Sequence, residues 1–266
     1  MDHLIPMSAP VPTTTGEILF ADYLKGMGYL YEFEKEFPGK RKRPDYTVTS
    51  DGTHLFDVKD FDENMPLGFG AYDPYPRIRE KIEEGRQKFK EFKEFPCAIV
   101  LQNNGNAFVH LEEPHIVLGA MYGDAGFKVP VWLADGAPKT EPPPVAQAFL
   151  GRGKMIHKGN VQNSTISALI TLRKIRVGWS RYRNALKQFQ NLSIEATLEA
   201  ASEIYPNFDL EEEHLGVIVW ENSIARIPLS RKLFTGDYDI RWGVEGETQT
   251  ITHEGKRLVE IEMSSK

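Results

Sequence analysis

Pro44-Asp45, eleven intervening residues and then Asp57-Val58-Lys59 bring two carboxylates and a lysine into a spacing that chemistry can use. On a strand, residues two apart point to the same side, so Asp57 and Lys59 share a face while Val58 enters the core. Asp45 joins them if the turn between is a three-residue loop, Ser50-Asp51-Gly52, which pairs Thr49 with Thr53 and Asp45 with Asp57. A two-residue loop would pair Asp45 with Val58 and send its carboxylate to the other face. Grouped, Asp45, Asp57 and the Val58 carbonyl offer the hard oxygens that Mg²⁺ prefers, with Mn²⁺ as a substitute, and leave positions for water and phosphate. Such an ion lowers the pKa of its water and offsets charge on phosphate oxygens, and Lys59 can orient the water or stabilise the transition state. That is the chemistry of phosphodiester hydrolysis. The plainer alternative makes Asp45 a strand-edge residue and Asp57 with Lys59 an exposed ion pair worth ~0–1 kcal/mol.

Those residues need elements to hold them. Phe20, Leu24 and Met27 recur at helical spacing over residues 14–28, and Gly26 and Gly28 mark the end. Glu17 lies on the same stripe, either as an accessory acid or, in Thr14-x-x-Glu17, as the reciprocal partner of a capping box. Residues 29–37 read as a strand, followed by Pro38-Gly39 and the basic run Lys40-Arg41-Lys42-Arg43. Strands at 45–49 and 53–61 make a hairpin. Ile78, Ile82, Phe89 and Phe92 give a helix over 76–95, closed by Pro96, and the apolar run at 97–102 is a strand covered on both faces. Hairpin, helix and buried strand form an α/β order.

In this setting the chain resembles the restriction-endonuclease-like superfamily, named for proline-aspartate followed by an acid, any residue and lysine. The match runs from Glu17 to Gln102 and, more weakly, to the later strands. The resemblance implies a central mixed β-sheet flanked by helices, metal binding by Asp45 and Asp57, and Lys59 as the catalytic lysine. It also implies an accessory glutamate at Glu17, a nucleic-acid substrate with DNA favoured, and action as a homodimer in many members. Gln87 matches a glutamine beside the site in some exonucleases of the superfamily. Glu91 stands where those carry tyrosine, so that subtype does not follow.

Further on, strands are expected at 166–172 and 215–221, with helices at 179–190 and 194–204 between them. A single domain over 1–266 is the preferred organisation, with a core of about 14–125 completed by those two strands and a basic insertion at about 142–194 opened by Pro142-Pro143-Pro144. The charge is uneven. The formal net charge is -6, yet the stretch from Pro142 to Ile194 holds nine of the 32 basic residues and none of the 38 acids. Within it, Arg173, Lys174, Arg176, Arg181, Arg183 and Lys187 interleave with Trp179 and Tyr182, a pattern suited to phosphate contact with stacking. The alternative is a solvated helix face with its aromatics in the core. Gly151-Arg152-Gly153-Lys154 lacks the spacing of a phosphate-binding loop and reads as a basic loop.

Composition sets the outer bounds. A chain of 266 residues with 41% hydrophobic content can bury a proper core. A lone cysteine, Cys97, rules out an internal disulfide framework and reads as a small buried hydrophobe. There is no secretory signal pattern and no apolar run near ~18 residues, which points to a cytoplasmic protein without a membrane partner. Paired histidine ligands and a serine nucleophile elbow are both absent. Two functional classes remain: a metal-dependent nuclease, and a nucleic-acid-binding or interaction protein with the same fold and an inactive site.

Overall fold

Strands covered on both faces carry largely apolar runs, and such runs form the middle of one large sheet. The computed structural model describes residues 10–62, 73–106, 108–128, 146–157, 160–189, 191–245 and 250–255. Pro142-Pro143-Pro144 and the side chain of Trp179 lie outside what is described. The chain forms α1 (Thr15–Gly26), β1 (Tyr31–Phe33), β2 (Tyr46–Val48), β3 (His54–Phe61), α2 (Tyr75–Phe89), β4 (Cys97–Asn103) and α3 (Pro114–Tyr122). There follow β5 (Asp124–Lys128), β6 (Ala146–Leu150), β7 (Ile156–His157), β8 (Asn160–Val161), β9 (Ile166–Arg176), α4 (Gly178–Lys187), α5 (Ile194–Ile204), β10 (Glu213–Glu221), β11 (Ile240–Glu245) and β12 (Thr250–Glu254).

Eight strands make a mixed sheet in the order β1-β2-β3-β4-β9-β10-β11-β12. β3, β4 and β9 run parallel to one another, and β10 with β11 forms a second parallel pair; the other neighbours are antiparallel. One face buries Ile78, Ile82 and Phe89 of α2 and Val117, Leu118 and Met121 of α3 against Leu55, Ile99 and Leu169. The opposite face takes Phe20, Tyr23 and Leu24 of α1 against Phe56, Val58, Val100 and Ile170. The molecule is thus an α/β protein whose large mixed sheet is flanked by helices. Among the described residues no helix is long and apolar enough to cross a membrane.

The sequence reading places most of the first-half elements within a residue or two of these bounds; β1 is shorter than residues 29–37, α2 stops at Phe89 rather than running to residue 95, and several later elements are missed for physical reasons. Six consecutive residues of α3, Val117 to Tyr122, are buried, so no amphipathic period marks it as a helix. β11 carries Arg241, whose charge argues against a core strand until its partners are seen. Glu221 and the carbonyls of Leu233 and Ser230 accept from its guanidinium at 2.9, 2.9 and 3.4 Å. The strands expected at 166–172 and 215–221 are β9 and β10, and β9, within the basic stretch 142–194, lies between β4 and β10 in the centre of the sheet.

Cys97 opens β4. Its thiol is buried 3.6 and 3.4 Å from the carbonyls of Phe92 and Phe95, and burial pushes its pKa well above the usual thiol value. Nearby, α2 comes close to the sheet at Gly85, where an added Cβ would lie 2.4 Å from Ile99 Cδ1 and 2.6 Å from Ile99 Cγ1. Gly85→Val is therefore expected to destabilise the fold by about 1–3 kcal/mol through overpacking. Gly26→Ala, at a helical position with nothing within 4 Å, should stabilise it by about 0.4–1 kcal/mol. Urea unfolding of the two variants checks this, and equal midpoints would deny the close approach of α2.

Candidate active site

The β2–β3 turn decides which carboxylates meet. Tyr46 pairs with Phe56 and Val48 with His54, which extends to Asp45 opposite Asp57. Asp51 and Gly52 carry the turn at positive φ, 53° and 102°, values that glycine adopts without strain. The three-residue loop is thus the one adopted, and Asp45, Asp57 and Lys59 share one face of the sheet.

Their contacts form a compact charged cluster beneath α2. Asp57 is fully buried, and Asp45 is 9% exposed. The Val58 N–H donates to Asp45 Oδ2 at 2.7 Å. Amide and carbonyl of one strand residue point to the same side, so the Val58 carbonyl faces the edge that Asp45 occupies just past the end of β2. Lys59 Nζ lies 3.0 Å from Asp57 Oδ2. That oxygen has no hydrogen bond, so it remains a buried acceptor with a lone pair open.

A fourth member comes from α2. Lys88 Nζ donates to Asp45 Oδ1 and, at 2.5 Å, to Asp57 Oδ1, bridging the two carboxylates. Burial works against its charge, but the two aspartates outweigh that and raise its pKa. Sequence reasoning missed Lys88 although a signal was there. The inward stripe of α2 is Ile78, Ile82, Gly85 and Phe89, and Lys88 stands three residues after Gly85 on the flank of that stripe.

The other expected members do not join the cluster. Glu17 closes the capping box: its Oε2 accepts from the amides of Thr13 and Thr14 at 2.8 and 3.0 Å, and its own N–H donates to Thr14 Oγ1 at 3.2 Å. It belongs to α1, on the opposite face of the sheet, where its carbonyl accepts from the Tyr46 hydroxyl at 2.7 Å. Gln87 also looks away, donating to Glu83 Oε1 at 2.8 Å.

The basic tract divides. Arg173 is 5% exposed, with Nη2 donating to the Tyr238 carbonyl at 2.5 Å and Nε buried without a partner. It is a sheet residue and not part of a phosphate-facing surface, because β9 alternation turns it inward. Arg176 pairs with Glu213 at 2.9 Å and Arg181 with Glu212 at 2.5 Å, so acids arriving with β10 compensate a segment that has none of its own. Lys187 bonds Asn184 Oδ1 at 2.8 Å. Lys174, Arg183 and Lys187 are exposed.

Asp45 Oδ1, the two oxygens of Asp57 and the Val58 carbonyl are hard oxygen donors of the kind a divalent cation takes. Two features limit the fit. The Lys88 ammonium already bridges the two carboxylates, and among the described residues no group of three or more His, Cys, Asp or Glu side chains could hold a metal.

Burial, and then the charge of Asp57, raise the Asp45 carboxyl from 3.8 to about 6, with Lys88 and the Val58 amide opposing. Between those values the folded chain holds a proton that the unfolded chain releases. The stabilisation is full below 3.8 and is lost as pH rises through about 6. Wild type should therefore lose stability relative to Asp45→Asn across that window. Denaturant unfolding of both proteins over a pH series measures this, and a constant difference would rule out the raised carboxyl.

In comparisons with known proteins the chain matches no family model, no curated protein and no solved structure, so the site is read from its own geometry.

Proposed function

We propose that this chain is a metal-dependent nuclease of restriction-endonuclease-like fold, hydrolysing nucleic-acid phosphodiester bonds, with DNA the favoured substrate and endonucleolytic action the favoured mode. The observation that carries the reading is the meeting of Asp45, Asp57 and Lys59 on one sheet face, with the Oδ1 atoms of both aspartates turned onto a single cation. Hairpin, helix and buried parallel strand in that order supply the frame on which the superfamily resemblance rests.

Each residue has a distinct part. Asp45 and Asp57, with the Val58 carbonyl, would hold Mg²⁺ or Mn²⁺; when bound, such an ion acidifies water and offsets charge on the phosphate. Lys59, 21% exposed at its side chain, reaches toward solvent beside Asp57, where it can orient the attacking water or bear on the phosphate oxygens. Lys88 neutralises the two carboxylates while no metal is there and has to withdraw for an ion to take both Oδ1 atoms.

The same lysine favours a second reading, in which the cluster is a permanently closed ion-pair network on a nucleic-acid-binding or interaction protein. Its ammonium sits where the ion would, and removing one partner of a buried pair is costly.

One set of variants separates the two. In the nuclease reading Asp57→Ala weakens Mg²⁺ binding and abolishes most cleavage. Lys59→Ala abolishes cleavage while leaving metal affinity equal or higher, and Lys88→Ala raises metal affinity by removing a competing charge. Calorimetric Mg²⁺ titration alongside cleavage of plasmid, single-stranded DNA and RNA, with metal and with chelator, reads all three. Cleavage by Asp57→Ala at the wild-type rate sinks the proposed chemistry. Wild type that binds no metal and cuts nothing favours the closed network.

A further inference from the structure

The outer side of the end of α2 carries a charge pattern that the candidate site does not use. Arg86, Lys90 and Lys93 recur at spacings of four and three residues, which places them on one side of α2 and of the turn that continues it, where the Phe92 N–H donates to the Phe89 carbonyl at 3.0 Å. They line a groove of about 480 Å³ together with Ser164, Thr165 and Arg226. Lysine and arginine at a helix C-terminus favour the macrodipole, which accounts for Arg86 and Lys90. It does not account for Arg226, which follows β10 and is brought in from a distant part of the chain. Its loop is pinned there by the Arg226 N–H donating to the Ser164 carbonyl at 2.7 Å.

No acid lines this groove. Glu91 and Glu94, which alternate with the lysines in sequence, are turned to the other side: Glu91 Oε2 accepts from the Arg41 amide at 2.8 Å, and Glu94 pairs with Lys40 at 2.6 Å. Arg86 is held by Glu83, its Nε donating at 3.0 and 2.9 Å. Among the described residues the side chains of Lys90, Lys93 and Arg226 have neither an ion-pair nor a hydrogen-bond partner. Three uncompensated cations beside two hydroxyls repel one another until something rich in oxygen acceptors and negative charge lies between them.

The run Lys40-Arg41-Lys42-Arg43 lies on the other side of this end of α2, where Lys42 Nζ donates to the Gln87 carbonyl at 2.7 Å. Lys40 pairs with Glu94 and Arg43 with Glu36, so the run's charge is largely compensated and the groove's is not. The end of α2 and the turn after it thus present Lys88 inward to the aspartates and Arg86, Lys90 and Lys93 outward. We propose that this groove binds the sugar-phosphate backbone of a nucleic acid, independently of sequence, through Lys90, Lys93 and Arg226. The identity of the polyanion rests on the nuclease reading, since the groove and the site share α2.

The test is binding of labelled single- and double-stranded DNA and RNA oligonucleotides to the full chain in chelator, by fluorescence anisotropy over a salt series. Lys90→Gln/Lys93→Gln/Arg226→Gln should weaken binding about tenfold or more for all sequences and make the slope of log K against log salt shallower by about 2–3. A comparator on the other surface, Arg176→Gln/Arg181→Gln/Lys187→Gln, should keep the wild-type slope. If the triple variant melts early, Lys93→Gln alone carries the test with a change of about 0.9. An unchanged slope overturns the proposal, as does wild type that binds anionic phosphatidylglycerol vesicles but no oligonucleotide. Cleavage, measured separately with Mg²⁺, keeps the two claims apart. A lost slope without any wild-type cleavage upholds the groove and removes the nuclease reading, whereas cleavage with an intact slope does the reverse.

Discussion

A carboxylate with no solvent exposure must be compensated where it lies, and Asp57 imposes that constraint on everything around it. Two ammonium groups meet the demand, one two residues along its own strand and one from α2. Lys88 reaches Asp57 only because α2 descends closely onto the sheet, which the bare backbone of Gly85 allows above Ile99. The second carboxylate, Asp45, arrives because a positive-φ turn fixes the β2–β3 register, and its proximity is tolerable because Lys88 lies between the two. Register, helix approach and lysine placement are therefore interdependent parts of one electrostatic solution. A one-residue slip in the hairpin would move Asp45 to the other face and leave Lys88 with one partner.

Much of this was legible because it depends on short-range rules. Strand alternation places Asp57 and Lys59 together, loop length places Asp45, and the capping signal at Thr14 correctly names an alternative use for Glu17. Lys88 was not read because a lysine beside a helix stripe ordinarily extends to solvent; only the two acids beneath it turn it inward. α3 escaped because burial on all sides erases the period that reveals a helix. β11 escaped because its buried arginine looks polar in sequence and is satisfied only by residues brought from elsewhere.

Charge shows the same limit more sharply. The tract without acids between 142 and 194 looks like a uniform basic surface, yet antiparallel pairing of β9 with β10 sets Glu213 against Arg176, and the strand buries Arg173 outright. Conversely, the segment 86–94 mixes four basic residues with two glutamates, and nothing in the sequence shows how they divide. The last turn of α2 and the turn after it sort them into an acidic side facing Lys40 and a basic side facing Arg226. Net charge along a chain is thus a poor guide to potential over a surface where elements interleave.

The buried thiol of Cys97 has a practical consequence. Thiol reagents attack the thiolate, which burial disfavours, and the residue opens the strand lying between β3 and β9. Modification at Cys97 thus proceeds only through an opening of the sheet's centre, so its rate is a clock for that event next to the acid cluster. Because this is the chain's one cysteine, the same protection leaves every surface position free to carry an introduced, selectively labelled thiol.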